Sequence, residues 1–303
     1  MNADKNDEIT GSVINERLAY VDFKLRFTGH ISRLDLGETF GIAEAAASRV
    51  LKEYSETKES NKTQKANTIV RESFSPLISI DGETALGMLA NGFNKNKLTN
   101  NTVLPFEKIG VIPNRLNISE VAMITRAIAG EYAIRCNYFS ENSRNHEIRT
   151  LLPLAILHDG SQWMFRAYDR SEEKSEKFKN FHFSRAINVI EEFKGKEYKR
   201  LDHEGLGNDK SWNLRLPLIL KLHSSLSEDS KSQIKRDFGI PQEKDELYTS
   251  EREAFLWITK KKWYIDDRNL EQIELEYKSG IKRFYKFQLM NIEMIEKLKK
   301  YIC

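Results

Sequence analysis

At 303 residues and 35.3 kDa the chain is too long for one small module and suits two or three domains. Its 40% hydrophobic and 31% charged residues can bury cores beneath a solvated surface, which excludes global disorder, and 48 basic against 45 acidic residues leave a net charge of +3, so any surface for a polyanion must be local. No apolar run approaches the roughly 18–20 residues of a bilayer span, the start of the chain lacks a basic, apolar leader, and Cys136 and Cys303 are too few for a disulfide framework, so the expected setting is the reducing cytoplasm with no membrane partner.

From Asn15 the residues Leu18, Val21 and Leu25 recur at helical spacing beside Tyr20, Phe23 and Phe27, and Gly29 stands where a left-handed stop belongs. Ser32 with Asp35 three residues on is a near capping box for a short second helix ended by Gly41. The stretch Glu44 to Tyr54 reads as a third helix with Val50, Leu51 and Tyr54 facing inward. Two short helices about a glycine turn suggest a helix-turn-helix. On the third helix, small Ala45 and Ala46 would let the backbone approach bases in a major groove, while Ser48, Arg49 and Lys52 reach edges or phosphates. An alanine-rich helix in any bundle has the same composition, so this pattern alone leaves both readings open. Four basic residues, Lys58, Lys62, Lys65 and Arg71, run against the single acid Glu59 into the β-prone Thr68-Ile69-Val70, as a basic wing or an ordinary solvated loop would. Past Phe74-Ser75-Pro76-Leu77 the next forty residues are turn-rich and read as connector, and Asn117 to Glu120 opens an amphipathic helix capped by Ser119.

Tyr132 to Phe139 alternates as a strand, Leu151 to Leu157 is another, and Asp159-Gly160 supplies the tight turn of a hairpin into Gln162 to Tyr168. Trp163, Phe165 and Ala167 share one face, leaving the other to present Arg166. Phe178 to Glu191 reads as one further strand with Phe181, Phe183 and Arg185 on a face. Several short antiparallel strands led by a helix imply a small barrel or curled sheet. Towards the end, Leu214, Leu216, Leu218 and Leu220 alternate, Phe255 to Ile258 reads as a strand, Lys260 to Tyr264 and Ile281 to Phe287 are basic and aromatic, and Ile292, Ile295, Leu298 and Ile302 form a helical stripe, which suits a small αβ domain.

The run Pro153-Leu154-Ala155-Ile156, then Asp159 to Tyr168, then Phe178 to Arg185 resembles the WYL domain. Upstream, Arg17 to Leu25 and Ser32 to Leu36 resemble the winged helix of the WYL-domain regulators of the BrxR and CapW type, associated with bacterial anti-phage systems such as BREX and CBASS. Asp209-Lys210-Ser211-Trp212 and the last strand and helix resemble that family's later parts. Leu154 stands where the family commonly has His, Met164 and Phe165 follow the tryptophan, and Lys62 and Gln64 fall at wing positions usually apolar or aromatic.

The resemblance implies an α+β multi-domain chain: a winged helix-turn-helix over 1–95, a connector over 96–118, an Sm-like or SH3-like WYL β-barrel that senses a ligand over 119–205, and a small αβ dimerisation domain over 206–303. It further implies a homodimer on an inverted-repeat promoter of a defence operon, acting as a repressor. Ala45, Ala46, Ser48, Arg49, Lys52, Lys62, Lys65 and Arg71 are the expected DNA contacts, and Tyr138, Ser140, Arg166, Tyr168 and Arg185 the pocket residues that carry over. Two arginines flanked by tyrosines suit a flat anion, a nucleotide or oligonucleotide. The alternative is a single-stranded nucleic-acid or nucleotide sensor acting through protein contacts. No complete phosphate-loop, dinucleotide or zinc-protease motif is present, Gly205-Leu206-Gly207 reads as a turn, and His146-Glu147 and His203-Glu204 read as surface pairs, so neither catalysis, metal nor cofactor is expected.

Overall fold

The computed structural model describes residues 15–57, 62–64, 67–98, 104–105, 109–110, 115–140, 148–171, 176–278 and 283–300. Lys65, His146 and Cys303 lie outside them. The chain divides into two compact units, Met1–Arg200 and Leu201–Cys303, each mixing helices with sheet.

Unit one opens with α1 (Glu16–Thr28), capped by the Asn15 side chain and stopped by Gly29 in the left-handed region at φ +81°. Eight of its thirteen residues are buried, so it has no wet face. One side, Leu18, Tyr20, Val21 and Leu25, packs in a core with Leu36, Val50 and Tyr54; the other, Ala19, Phe23 and Phe27, belongs to the core of the following sheet. The one helix thus contributes side chains to both cores. Replacing Gly29 with alanine should cost about 1–2 kcal/mol by urea titration, because it forces an L-residue into the left-handed region at φ +81°, while the added Cβ would meet Arg126 only at ordinary contact distance.

Next come α2 (Arg33–Phe40), with the full Ser32/Asp35 capping box, and α3 (Glu44–Thr57). The stretch read as connector contains a further helix, α4 (Gly82–Asn91), capped by Asp81, whose Ala85, Leu86 and Met88 join the sheet core. Its low charge and its two glycines, Gly82 at the first position and Gly87 inside, hid the helical period. The helix α5 (Ile118–Gly130) is capped by Asn117 rather than Ser119: the Asn117 carboxamide oxygen accepts from the Ser119 and Glu120 amides.

Five strands follow: β1 (Ile134–Tyr138), β2 (Ile148–His158), β3 (Trp163–Asp169), β4 (Phe178–His182) and β5 (Ala186–Glu191), in the order β4-β3-β2-β1-β5 and antiparallel throughout. The run from Phe178 to Glu191 is thus two strands on opposite edges, broken by the helical turn Phe183–Arg185. A flat five-stranded sheet would hold its edges about 19 Å apart. Three residues cannot bridge that gap comfortably while also turning, so the sheet curls. Consistent with this, the Tyr138 hydroxyl on β1 accepts from the His182 amide on β4 at 3.0 Å. Among the described residues no ladder joins β4 to β5, so the expected barrel is a curled sheet without closure.

Unit two carries a four-stranded sheet of β6 (Arg215–Leu222), β7 (Glu246–Arg252), β8 (Ile265–Asp266) and β9 (Phe287–Leu289), ordered β7-β6-β9-β8. As the alternation predicts, Leu216, Leu218, Leu220 and Leu222 are buried, here against α7 (Glu228–Phe238), α8 (Glu253–Lys262) and α10 (Ile292–Lys300). Two short helices, α6 (Lys210–Asn213) and α9 (Leu270–Lys278), complete it. Phe255 to Ile258 is helical within α8, not a strand: four consecutive apolar residues fit either period, and helical hydrogen bonding sends Leu256 inward and Trp257 outward. Glu204 also departs from the surface pair expected with His203. It is buried and accepts from the Leu201 amide.

Candidate nucleic-acid interface

The outward face of α3 is set by what its inward face touches. Ala47, Val50 and Tyr54 are buried, so helical spacing turns Ala45, Ser48, Arg49 and Lys52 to solvent, with Ala46 half-buried between. The Arg49 Nε lies 3.4 Å from the Ala45 carbonyl, which lays the guanidinium along that face, and Lys52 pairs loosely with Glu56 at 3.8 Å. Arg33, first residue of α2, pairs with Glu44, first residue of α3, at 2.9 Å. The Lys24–Asp35 ion pair at 3.0 Å ties α2 to α1.

A buried carboxylate anchors α3 from below. Asp22 on α1 accepts the Tyr54 hydroxyl at 2.7 Å and the Leu77 and Ile78 amides at 2.9 and 3.2 Å. Burial pushes its pKa up despite these three donors, and pushes the Tyr54 phenol far above its ordinary value. Sequence reasoning missed Asp22; a lone acid amid Ala19, Tyr20, Val21 and Phe23 was the available signal, since such a charge needs partners.

Residues 62–64 lie beside residues 67–70. Gln64 and Thr68 bridge antiparallel, Thr68 also bridges His30, and the Ile69 amide donates to the Gly29 carbonyl at 2.8 Å. Lys62 is exposed on this segment. Arg71, expected on phosphate, is turned inward: Nε pairs with Glu191 on β5 at 3.3 Å, Nη2 donates to the Tyr132 hydroxyl at 3.2 Å, and the guanidinium lies 4.0 Å from the Phe193 ring centre. A buried acid and an aromatic face outcompete water for a guanidinium within reach, so Arg71 leaves the predicted contact set.

Glu191 is the centre of a network that sequence reasoning also missed. It takes Arg126 at 3.0 and 2.5 Å and the Tyr132 hydroxyl at 2.6 Å, while Arg126 Nη1 donates to the Arg26 carbonyl in the last turn of α1 at 2.8 Å. Burial works to raise the Glu191 pKa, but the hydrogen bonds and charges of Arg126, Tyr132 and Arg71 outweigh it and hold the carboxyl below the usual range. Arg126 within the apolar run Val121 to Ile128 was the trace of this network in the sequence.

The expected pocket residues fall on two faces of the curled sheet. Tyr138 is buried inward, its ring edge-on to Phe181 at 4.9 Å, with burial raising its pKa against the nearby Arg185 and Arg149. Arg185, half-buried, sits in the turn between β4 and β5, and its carbonyl accepts from Phe139, next to half-buried Ser140. Arg166 and Tyr168 point to the other face, since β3–β4 register pairs them with Asn180 and Phe178 while Phe165 and Phe181 face the core. On that face Arg166 itself is buried, 3% exposed, and donates to Asn180 Oδ1 at 3.0 Å beside buried Met164, while Tyr168, Phe178 and Asn180 are half-buried. The structure thus joins Tyr138 with Arg185 and, separately, Arg166 with Tyr168. On the core side Arg149 pairs with buried Asp169 at 2.8 Å, and burial pushes the Cys136 thiol up to about 12. Among the described residues no group of His, Cys, Asp and Glu could hold a metal, and no helix is long and apolar enough to cross a membrane.

Residues 120–189 match the family profile described as WYL domain. Curated relatives named DNA-binding transcriptional repressor CapW include one from Pseudomonas aeruginosa, 29% identical over 248 residues, or 79% of each chain. Another, from Stenotrophomonas maltophilia, is 28% identical over 81% of each, and one from Escherichia coli is 27% identical over 74% of each. Together these findings give residues 120–189 a likeness to the WYL domain and the chain a likeness to the CapW repressors over 74–81% of its length.

Proposed function

We propose that this chain is a sequence-specific DNA-binding repressor in which α1 to α3 form a helix-turn-helix, residues 62–70 its wing, and α3 enters the major groove. The observation that carries the reading is α3 itself. Its inner face is locked by Val50 and Tyr54, and its outer face offers Ala45, Ala46, Ser48, Arg49 and Lys52 without a large apolar side chain among them. The repressor function named for the CapW relatives supports the same reading. By likeness to the family, the protein acts as a homodimer through its C-terminal domain on an inverted repeat in a phage-defence promoter, and Lys62 and Lys65 contact phosphates. The WYL sheet senses a nucleotide or oligonucleotide through Arg185 with Tyr138 and Ser140, or through Arg166 with Tyr168 on the second face.

Binding of the full chain to the duplex upstream of its own gene, against a scrambled duplex of equal length, tests this by fluorescence anisotropy across a salt series. Selective binding that persists at physiological salt is the expected result. Equal, weak binding abolished by salt would replace it with the single-strand sensor. Arg49→Ala should weaken binding to the selected duplex by about 5- to 150-fold and relax specificity at one base pair if Arg49 reads a base edge. A uniform loss on every duplex would reassign it to phosphate.

A further inference from the structure

One carboxylate holds two separate pieces of the DNA-binding half against the sheet. Glu191 ends β5; through Arg126 it reaches the Arg26 carbonyl at the end of α1, and through Arg71 it reaches the residue that follows the 62–70 segment. The same two places are already stitched together, since the Ile69 amide donates to Gly29, just past α1, and Gly29 lies against both Arg126 and Arg71. The carbonyl that Arg126 takes is one that α1 cannot satisfy internally, so the guanidinium completes the helix end while facing Glu191. At 7% side-chain exposure Glu191 is shielded from water, and Tyr132 and Phe193 close over Arg71. Charge-assisted contacts of this kind have narrow geometry, so they fix orientation as well as proximity.

We propose that the Arg71–Glu191–Arg126 strap is the positioning device that sets the angle of α3 to the sheet, and thereby the half-site spacing the protein accepts on DNA. Glu191 and Arg71 are positioning residues that touch no base. The inference rests on the repressor reading above, in which two copies present two α3 helices to an inverted repeat. In such a complex the distance between recognition helices equals a fixed number of base pairs only if every joint along the chain that carries the helix is rigid, and the joint between α3 and the sheet is one of them. The α1–α3 core joins α3 to α1, and the strap joins α1 and the wing exit to the sheet.

The test uses the full chain and a set of duplexes that carry its promoter repeat with one to four base pairs inserted or removed between half-sites. Anisotropy gives the ratio of affinities between native and altered spacing. For the wild type that ratio should be about tenfold or more, a loss on the order of one or more mismatches; in Arg71→Ala it should fall to about two- to threefold. Arg71→Lys, which keeps the charge, should lie between. A merely structural loss lowers the active fraction on every duplex alike and leaves the ratio unmoved. Glu191→Gln is the second variant and should flatten the profile in the same way should Arg71→Ala fail to fold. A selective wild type with an equal ratio in these variants overturns the inference alone, as does a selective wild type indifferent to spacing. A wild type without sequence preference overturns the repressor reading and this inference with it.

Discussion

Glu191→Ala is expected to lower the unfolding free energy of the first two hundred residues by about 3–5 kcal/mol, the cost of leaving a buried charge without its partner. Arg126 is 8% exposed and would keep only the Arg26 carbonyl, and Tyr132 would lose its acceptor at 2.6 Å. Urea denaturation followed by tyrosine and tryptophan fluorescence measures it; a change below 1 kcal/mol would mean that water enters and solvates Arg126. The pH dependence has a definite sign. The folded pKa of Glu191 lies below the ordinary 4.5, so its stabilisation is complete above that value and is lost as pH falls through the depressed folded value. The stability gap between wild type and Glu191→Gln should therefore be constant near neutrality and shrink under acid. A gap that widens on acidification would contradict the assignment.

Asp22→Ala is the second large effect, expected at about 2–4 kcal/mol. It strands the Tyr54 hydroxyl and the Leu77 and Ile78 amides, each costing about 1–3 kcal/mol when buried unsatisfied, and the total is reduced because a carboxylate disfavoured by burial is removed as well. The loss should be local in its consequences: α3 loses its deepest tether, so hydrogen exchange in Glu44–Thr57 should accelerate more than exchange in β1 to β3. Equal acceleration everywhere would show that Asp22 supports the whole unit and not α3 in particular. Because the folded pKa of Asp22 is raised, its contribution has the opposite pH sign to that of Glu191: fully present below the unfolded pKa and declining as pH rises through the folded one.

Much of the architecture was readable where the deciding interactions are local. Asn15 and Gly29 bracket α1, Ser32 and Asp35 cap α2, Gly41 stops it, and Asp159-Gly160 turns the hairpin, with Gly160 at φ +92°; all are contacts within a few residues. The alternation of Leu214 to Leu220 likewise needs only one buried face. Reading failed where a local pattern fits two periods or needs a distant partner. Phe255 to Ile258 satisfies strand and helix alike, α4 carries two glycines, and the break between β4 and β5 is visible only once β5 finds β1 at the far edge. The expected pocket was divided for the same reason. Whether Tyr138 and Arg166 share a face depends on the pairing of β1, β2 and β3, and the irregular register between Pro153 and Ala155 is not written in any single strand.

By itself the amino-acid sequence determined the helices and turns of residues 15–57, the outward residues of α3, the strand-rich centre and the WYL likeness, because caps, glycine stops and short periodicities act over neighbouring positions. Only the tertiary structure decided what the charges do. Asp22, Arg71, Arg126 and Glu191 lie as far as 169 positions apart along the chain, and a side chain's partner is chosen by which groups burial brings within hydrogen-bond reach. Arg71 shows the difference most plainly: its sequence context is a basic run suited to phosphate, and folding gives it a buried carboxylate instead.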